Sequence, residues 1–293
     1  MSEHLRRRSD GGRAAEYPPA PEPLPVPVYD NHTHLEIADG ALPLSPAEHL
    51  ERAAAVGIAG AVQVGTDVAT SRWSAEIAAR EPRLLAAVAL HPNEAPELDA
   101  AGELDAAIAV IDELAAQPRV RAIGETGLDY FRTGEEGRDA QHRAFEAHLD
   151  IAKRHGIALQ IHDRDAHDDV VATLRRVGAP ERTVFHCFSG GEELARTAAD
   201  AGWYCSFAGN VTFKNAENLR EALRVLPREL LLVETDAPYL TPVPLRGRPN
   251  APYLVPLTVR FMAELLELPL DGLCAQLAEN TERVYGSWQE GLA

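Results

Sequence analysis

Cysteine is scarce in this chain of 293 residues. Cys187, Cys205 and Cys274 are too few and too scattered for a disulfide framework. That excludes a small disulfide-stapled domain and fits a reducing, cytoplasmic setting. Positive charge is scarce too. Lys and Arg number 28 against 45 Asp and Glu, the formal net charge is −17, and lysine occurs only at 153 and 214. A protein that coats nucleic acid through bulk electrostatics is therefore excluded. Brief handling of a phosphate chain is not, because metal ions in a pocket offset local negative charge. No apolar run reaches membrane-spanning length. No Gly-x-Gly-x-x-Gly follows the first apolar run, which argues against a doubly wound dinucleotide-binding sheet.

Residues 1–25 hold arginines, prolines and glycines but no apolar core behind the arginines, so they do not form a secretory signal. They are expected to be a flexible leader ahead of a single domain at 26–293. Two readings of the leader stand, a ragged tail or a contact with DNA or RNA.

What the chain does have is a sizeable apolar fraction, 45%, and eight short apolar runs. They lie at 26–30, 60–65, 84–90, 120–125, 157–161, 183–188, 203–209 and 230–235. Nearly continuous apolarity is the mark of strands covered on both faces. Helical periodicity fills the stretches between them, and Ser45-Pro46 reads as an N-cap followed by a first-turn proline. Eight β-α repeats predict an α/β fold of the (β/α)₈ TIM-barrel type.

A barrel of this kind carries its site at the C-terminal ends of its strands, and polar residues gather there. The first run ends in Asp30, His32 and His34, the third in His91, the fourth in Glu125. The fifth ends in His162, the sixth in His186, the eighth in Asp236. In a strand, His32 and His34 project to one side. Paired imidazoles suit a metal and are poor core filler. His32, His34, Glu125, His162, His186 and Asp236 are more ligands than one catalytic metal needs. They fit two metals if a carboxylate bridges, and Glu125 is the natural bridge, since its strand lies between the two sets of histidines. Metal pairs of this sort serve hydrolysis of phosphodiesters, and also of amides, esters and lactones. The nitrogen content favours zinc, iron or manganese over a pure magnesium site, with exchangeable occupancy letting Mg²⁺ compete.

The motifs DNHTH (30–34), GETGLDY (124–130), IHDRDA (161–166), HCFSG (186–190), ETDAPYLTP (234–242) and NTERVYG (280–286) resemble those of the TatD-family metal-dependent deoxyribonucleases, a branch of the amidohydrolase-like barrels. The resemblance runs from about residue 28 to 288. It implies that His32, His34 and Asp236 hold one metal, that Glu125 bridges, and that His162 and His186 complete the second. It implies a proton-accepting role for Asp236 and exonuclease action on DNA that is single-stranded or has free ends. One departure stands out: Ala251 occupies a position where the family often has glutamate.

Around these ligands, Arg164 is expected either to meet a phosphate or to pair within the acidic run 163–169. His91 has two readings, positioning or polarising the phosphate or bracing the structure. Arg246 and Arg248 are expected either to contact a phosphate chain or to lie in a solvated loop, and Tyr130 with Phe131 either to anchor their loop or to stack on a base. The enzymatic alternatives are hydrolysis of RNA ends, a small phosphodiester or an acyl substrate. The non-enzymatic alternative is a scaffold with structural metals.

Overall fold

The computed structural model describes residues 6–8 and 15–291. Its elements are β1 (Arg6–Arg7), β2 (Val28–Thr33), β3 (Ile37–Ala38), α1 (Pro46–Ala55), β4 (Ile58–Val64), α2 (Val68–Arg80), β5 (Leu84–Val88), α3 (Ala95–Ala100), α4 (Leu104–Ala115) and β6 (Val120–Asp129). There follow α5 (Glu135–His155), β7 (Ala158–Arg164), α6 (His167–Val177), β8 (Thr183–Phe185), α7 (Glu192–Ala201), β9 (Tyr204–Phe207), α8 (Glu217–Val225), β10 (Leu231–Val233), α9 (Val255–Leu265) and α10 (Leu270–Tyr285).

All eight apolar runs are strands of one sheet, in the order β2-β4-β5-β6-β7-β8-β9-β10, with parallel pairing and helices between. This is the (β/α)₈ TIM-barrel fold. β5, with sequence LLAAV, is buried at every position, as a parallel strand covered on both faces must be. The helices follow the 3.6-residue period. In α5 the buried residues Ala140, Ala144, His148 and Ala152 form one stripe beside Gln141, Phe145 and Leu149. Ser45 and Glu48 form a reciprocal capping box that starts α1, with Pro46 in its first turn.

Contacts divide the chain into two compact units, Met1–Gln63 with Gly190–Arg283 and Val64–Ser189 with Val284–Ala293. In the first, β2 is laced to the end of β10. Asn31 Nδ2 donates to Val233 O at 2.7 Å and to Thr281 Oγ1 at 3.1 Å. Asn280 Nδ2 donates to Leu231 O at 2.8 Å. The Asn-Thr pair thus ties the last helix to the last strand. The described part of 1–25, expected to be a flexible leader, packs against this unit. Leu24 is buried, Tyr253 donates its hydroxyl to Pro18 O at 2.6 Å, and Arg248 donates to Glu16 O at 2.9 Å. Carbonyls in a proline-rich stretch have few amides of their own to bond, so side chains of neighbouring elements satisfy them. In the second unit, buried Arg119 serves the C-terminal stretch, donating to Trp288 O at 2.6 Å, Pro82 O at 2.8 Å and Leu84 O at 2.6 Å. Among the described residues, no helix is long and apolar enough to cross a membrane.

Candidate metal centre

Each unit carries a cluster of metal-ligand residues. In the first, β2 and the residue after it present His32 and His34, with Nε2 atoms 3.2 Å apart. Asp236, just past β10, places Oδ1 3.9 Å from His32 Nε2 and 3.7 Å from His34 Nε2. Two backbone bonds fix this approach, Asp236 N to His32 O at 3.0 Å and His34 N to Ala237 O at 2.8 Å. Asp236 sits in the left-handed region at φ +52°, a conformation that aspartate tolerates better than most residues. Buried Asp30 pins the same turn, accepting from Thr235 N at 2.8 Å and Thr235 Oγ1 at 2.5 Å. Burial pushes its carboxyl up to about 7, against the hydrogen bonds from Thr235. Glu36 Oε1 lies 3.7 Å from His34 Nδ1, and Gln63 Nε2 donates to Glu36 Oε2 at 2.7 Å.

In the second unit the donors crowd one carboxylate oxygen. Glu125 Oε1, on β6, lies 2.6 Å from His162 Nδ1 on β7, 2.9 Å from His186 Nε2 just after β8, and 3.3 Å from His91 Nε2 after β5. The ligand atoms of His91, Glu125 and His162 all lie within 4.8 Å of one another. Burial opposes ionisation of Glu125, yet the imidazoles of His186 and His91 beside it and the hydrogen bonds of His162 and His186 hold its carboxyl well below the usual carboxylate range.

Hydrogen bonding assigns the roles of the imidazole nitrogens. Asn93 N donates to His91 Nδ1 at 3.1 Å, so neutral His91 carries its proton on Nε2. Burial lowers the pKa of His91, against the pull of Glu125, which favours that neutral form. His91 is therefore a donor aimed at Glu125 Oε1. His162 Nε2–H donates to Asp129 Oδ2 at 3.1 Å, leaving Nδ1 for the cluster. Asp129 is buried, and burial opposes its charge. The hydrogen bonds from His162, Arg132 N and Asn93 Nδ2 outweigh burial and bring its carboxyl down to about 2.

These residues fit metal ions. Ligand atoms about 2.1 Å from one ion in tetrahedral array lie about 3.4 Å apart. The separations in the first cluster, 3.2 to 3.9 Å, bracket that figure and those in the second, 2.6 to 3.3 Å, fall just below it, and two imidazole nitrogens facing each other at 3.2 Å make a poor hydrogen bond but a good ligand pair. Mixed imidazole and carboxylate donors suit zinc or manganese more than a pure oxygen site would. The two clusters supply ligands for two divalent ions.

The outlying candidates fall differently. Arg164, at the end of β7, forms no ion pair among the described residues. Its guanidinium lies 3.8 Å from the centre of the exposed Phe131 ring. Arg246 is exposed and stacks 4.0 Å over Phe213. Arg248 is engaged with the backbone of Glu16 and Tyr17. Tyr130 donates its hydroxyl to Asp169 at 2.6 Å and has Arg138 3.9 Å over its ring. Asn250, beside Ala251, donates to Thr235 O at 2.9 Å and so braces the turn bearing Asp236. Sequence reasoning did not single out Asp129, Glu36 or Asn93. Asp129 carried a signal: four residues beyond Glu125 on one strand, it shares that residue's face.

Comparison with known proteins agrees with this geometry. A family profile described as TatD related DNase matches residues 29–286. The chain is 46% identical over 264 residues to an uncharacterized metal-dependent hydrolase TatD of Mycobacterium tuberculosis, covering 88% of this chain and 98% of that one. It is 37% identical over 202 residues to a protein of Salmonella typhimurium named 3'-5' ssDNA/RNA exonuclease TatD, covering 68% and 75%. Among solved structures, the TatD homologue YjjV of Escherichia coli K12 superposes with a TM-score of 0.78 at 26% identity, covering 89% of this chain and 98% of that one. With ligand clusters for two ions on a (β/α)₈ scaffold, the chain belongs to the TatD-related DNase family and is a metal-dependent hydrolase.

Proposed function

We propose that this chain hydrolyses phosphodiester bonds of DNA, working from free ends of single strands. The observation that carries this reading is the convergence of His91, His162 and His186 on one oxygen of Glu125, in a chain of this family. The name of the Salmonella relative supports a polynucleotide end as substrate, and its mention of RNA makes RNA ends the second reading. Three free thiols fit a cytoplasmic place of action.

His32, His34 and Asp236 would hold one ion, and Glu125, with His162 through Nδ1 and His186 through Nε2, would hold another. When bound, a pair of divalent ions supplies Lewis acidity toward water and counter-charge for phosphate oxygens. Asp236 accepts the proton of the attacking water. His91, with its proton on Nε2, donates to a non-bridging phosphate oxygen. Arg164 leaves the face of Phe131 to meet the phosphate through its planar guanidinium. Arg246 has the same capacity along the phosphate chain, while Arg248 and Tyr130 hold the surrounding loops. Phe131, exposed beside Arg164, offers a face on which an unpaired base stacks.

The test is a substrate panel: linear single-stranded DNA, circular single-stranded DNA, RNA and an acyl ester, each with metal-loaded protein. The expected result is stepwise shortening of the linear DNA with the circle intact. Hydrolysis of the ester with every polynucleotide left whole would overturn the reading.

A further inference from the structure

Two side chains border the imidazole of His34, and each is held by an arginine from outside the family match, which begins at residue 29. Glu36 Oε1 lies 3.7 Å from His34 Nδ1. The Tyr239 ring stands edge-on to the imidazole, with 6.5 Å between ring centres. Arg6 Nη2 donates to Glu36 Oε1 at 3.0 Å. The Arg8 guanidinium lies 4.8 Å from the centre of the Tyr239 ring, and its Nη1 donates to Pro238 O at 3.0 Å. Arg6 opens β1 and Arg8 follows it, so strand alternation puts both on one face.

The seat of the strand lets it reach both neighbours. β1 pairs in parallel with β3, Arg6 opposite Ile37 and Arg7 opposite Ala38, and the two make a sheet of their own. Arg6 N donates to Glu36 O and Arg8 N to Ala38 O, both at 3.3 Å. β3 lies in the loop that leaves His34, while Pro238 and Tyr239 follow Asp236 by two and three residues. Arg8 therefore joins the loop after one ligand to the turn of another. The side chains of Glu36 and Asp39 are fully buried, and each faces one of these arginines, with Arg8 Nη1 3.5 Å from Asp39 Oδ2. A buried ion pair adds little stability over an apolar pair of the same volume. Stability alone thus does not account for arginines at these two places.

We propose that Arg6 and Arg8 are positioning residues for the first metal ion. The N-terminal strand is a clasp that keeps Glu36 and Tyr239 against His34 and ties the loop of His34 to the turn of Asp236. Groups that support a metal-binding imidazole set its orientation, and their loss weakens affinity by about tenfold or more. The sign of the effect separates this role from plain electrostatics. Each arginine is a cation near the site of a dication, so if its charge alone mattered, removing it would tighten binding. Removing a positioning residue loosens binding instead. The clasp role rests on the reading above that His32, His34 and Asp236 hold one ion, and it does not depend on the substrate.

The experiment titrates metal-stripped full-length protein with Zn²⁺ by calorimetry. Wild type, Arg6→Ala, Arg8→Ala and Arg8→Lys are compared, with thermal midpoints on the same preparations. His34→Ala and His162→Ala serve as references that assign each binding step to its cluster. Arg8→Ala is expected to weaken the step lost in His34→Ala by about tenfold and to leave the step lost in His162→Ala unchanged. Arg6→Ala should act on the same step in the same direction. Arg8→Lys, which keeps a cation and a donor for Pro238 O, should restore it. The proposal is overturned if Arg8→Ala leaves both steps as in wild type, tightens the first, or weakens both alike along with thermal stability. Should Arg8→Ala fail to fold, the same outcomes in Arg6→Ala, whose side chain is 40% exposed, decide the matter. If His34→Ala still binds two ions as wild type does, the ligand assignment falls and this proposal falls with it.

Discussion

At the scale of single residues, the site is organised by Glu125 and Asp129, two carboxylates on one strand whose surroundings give them different tasks. Glu125 is an acceptor on which three imidazoles converge. An amide offers neither the charge nor two equivalent oxygens. Glu125→Gln should therefore keep the fold but bind fewer than two ions per chain by elemental analysis. Its kcat on labelled DNA should drop on the order of 100-fold, the scale of one preorganised electrostatic group. Two bound ions and a wild-type rate in this variant would rule out a bridging role. Asp129 acts at one remove, fixing the proton of His162 on Nε2 so that Nδ1 faces the cluster. Asp129→Asn should weaken metal affinity by about 10- to 100-fold, as loss of such supporting bonds does, with only a small change in thermal midpoint. A calorimetric metal titration superimposable on wild type would contradict that role. That these histidines and carboxylates gather was legible in the sequence because strand ends in one register reveal their types. The nitrogen that each histidine presents was not, since it depends on contacts such as Asn93 N to His91 Nδ1.

At the scale of elements, the β6–β7 pair sets the spacing of Glu125 and His162. Its register opposes Gly127 to His162. Gly127 has φ +142°, and a Cβ there would lie 2.0 Å from His162 O, a backbone atom that cannot step aside. Gly127→Ala is expected to destabilise the protein by about 2 kcal/mol or more. It should also lower metal affinity, because relief of the clash moves His162. Chemical denaturation and metal titration of this variant check both effects, and wild-type values in both would show that the pair has slack. All eight strands were legible, being short apolar runs between helical repeats. Their ends were less so. The run at 120–125 continues as strand to Asp129, because Thr126 to Asp129 pair with β7 in a stretch where Leu128 is the one large apolar residue. The first 25 residues read as a tail because proline-rich sequence resembles disorder. What orders residues 15–25 is a set of donors far along the chain, such as Tyr253, Arg248 and Arg260.

At the scale of the whole molecule, acid stability turns on a group outside the metal ligands. His148, on α5, is buried with Leu90 N donating to its Nε2 at 3.5 Å, so its Nδ1–H donates to Thr126 Oγ1 at 2.7 Å. Both nitrogens are used by the neutral ring, and burial holds its pKa down at about 3. In the unfolded chain a histidine titrates near about 6.5. Between those values the unfolded state binds a proton that the folded state refuses, so stability is fully present above about 6.5 and declines as pH falls toward 3. The slope is about 1.4 kcal/mol per pH unit from this group. His148→Gln, which keeps a donor and an acceptor without titrating, should flatten the acid limb by that amount in urea unfolding at pH 4 to 7. An unaltered limb would place the acid sensitivity elsewhere. For the molecule's activity, the most direct measurement is metal dependence. The protein is stripped with a chelator, checked by elemental analysis, and titrated with Mg²⁺, Mn²⁺ or Zn²⁺ while an end-labelled single-stranded oligonucleotide is followed. Cleavage should be absent in the stripped protein and rise to a plateau as two ions per chain are bound. Full-rate cleavage by protein verified free of metal would contradict the assignment of both clusters.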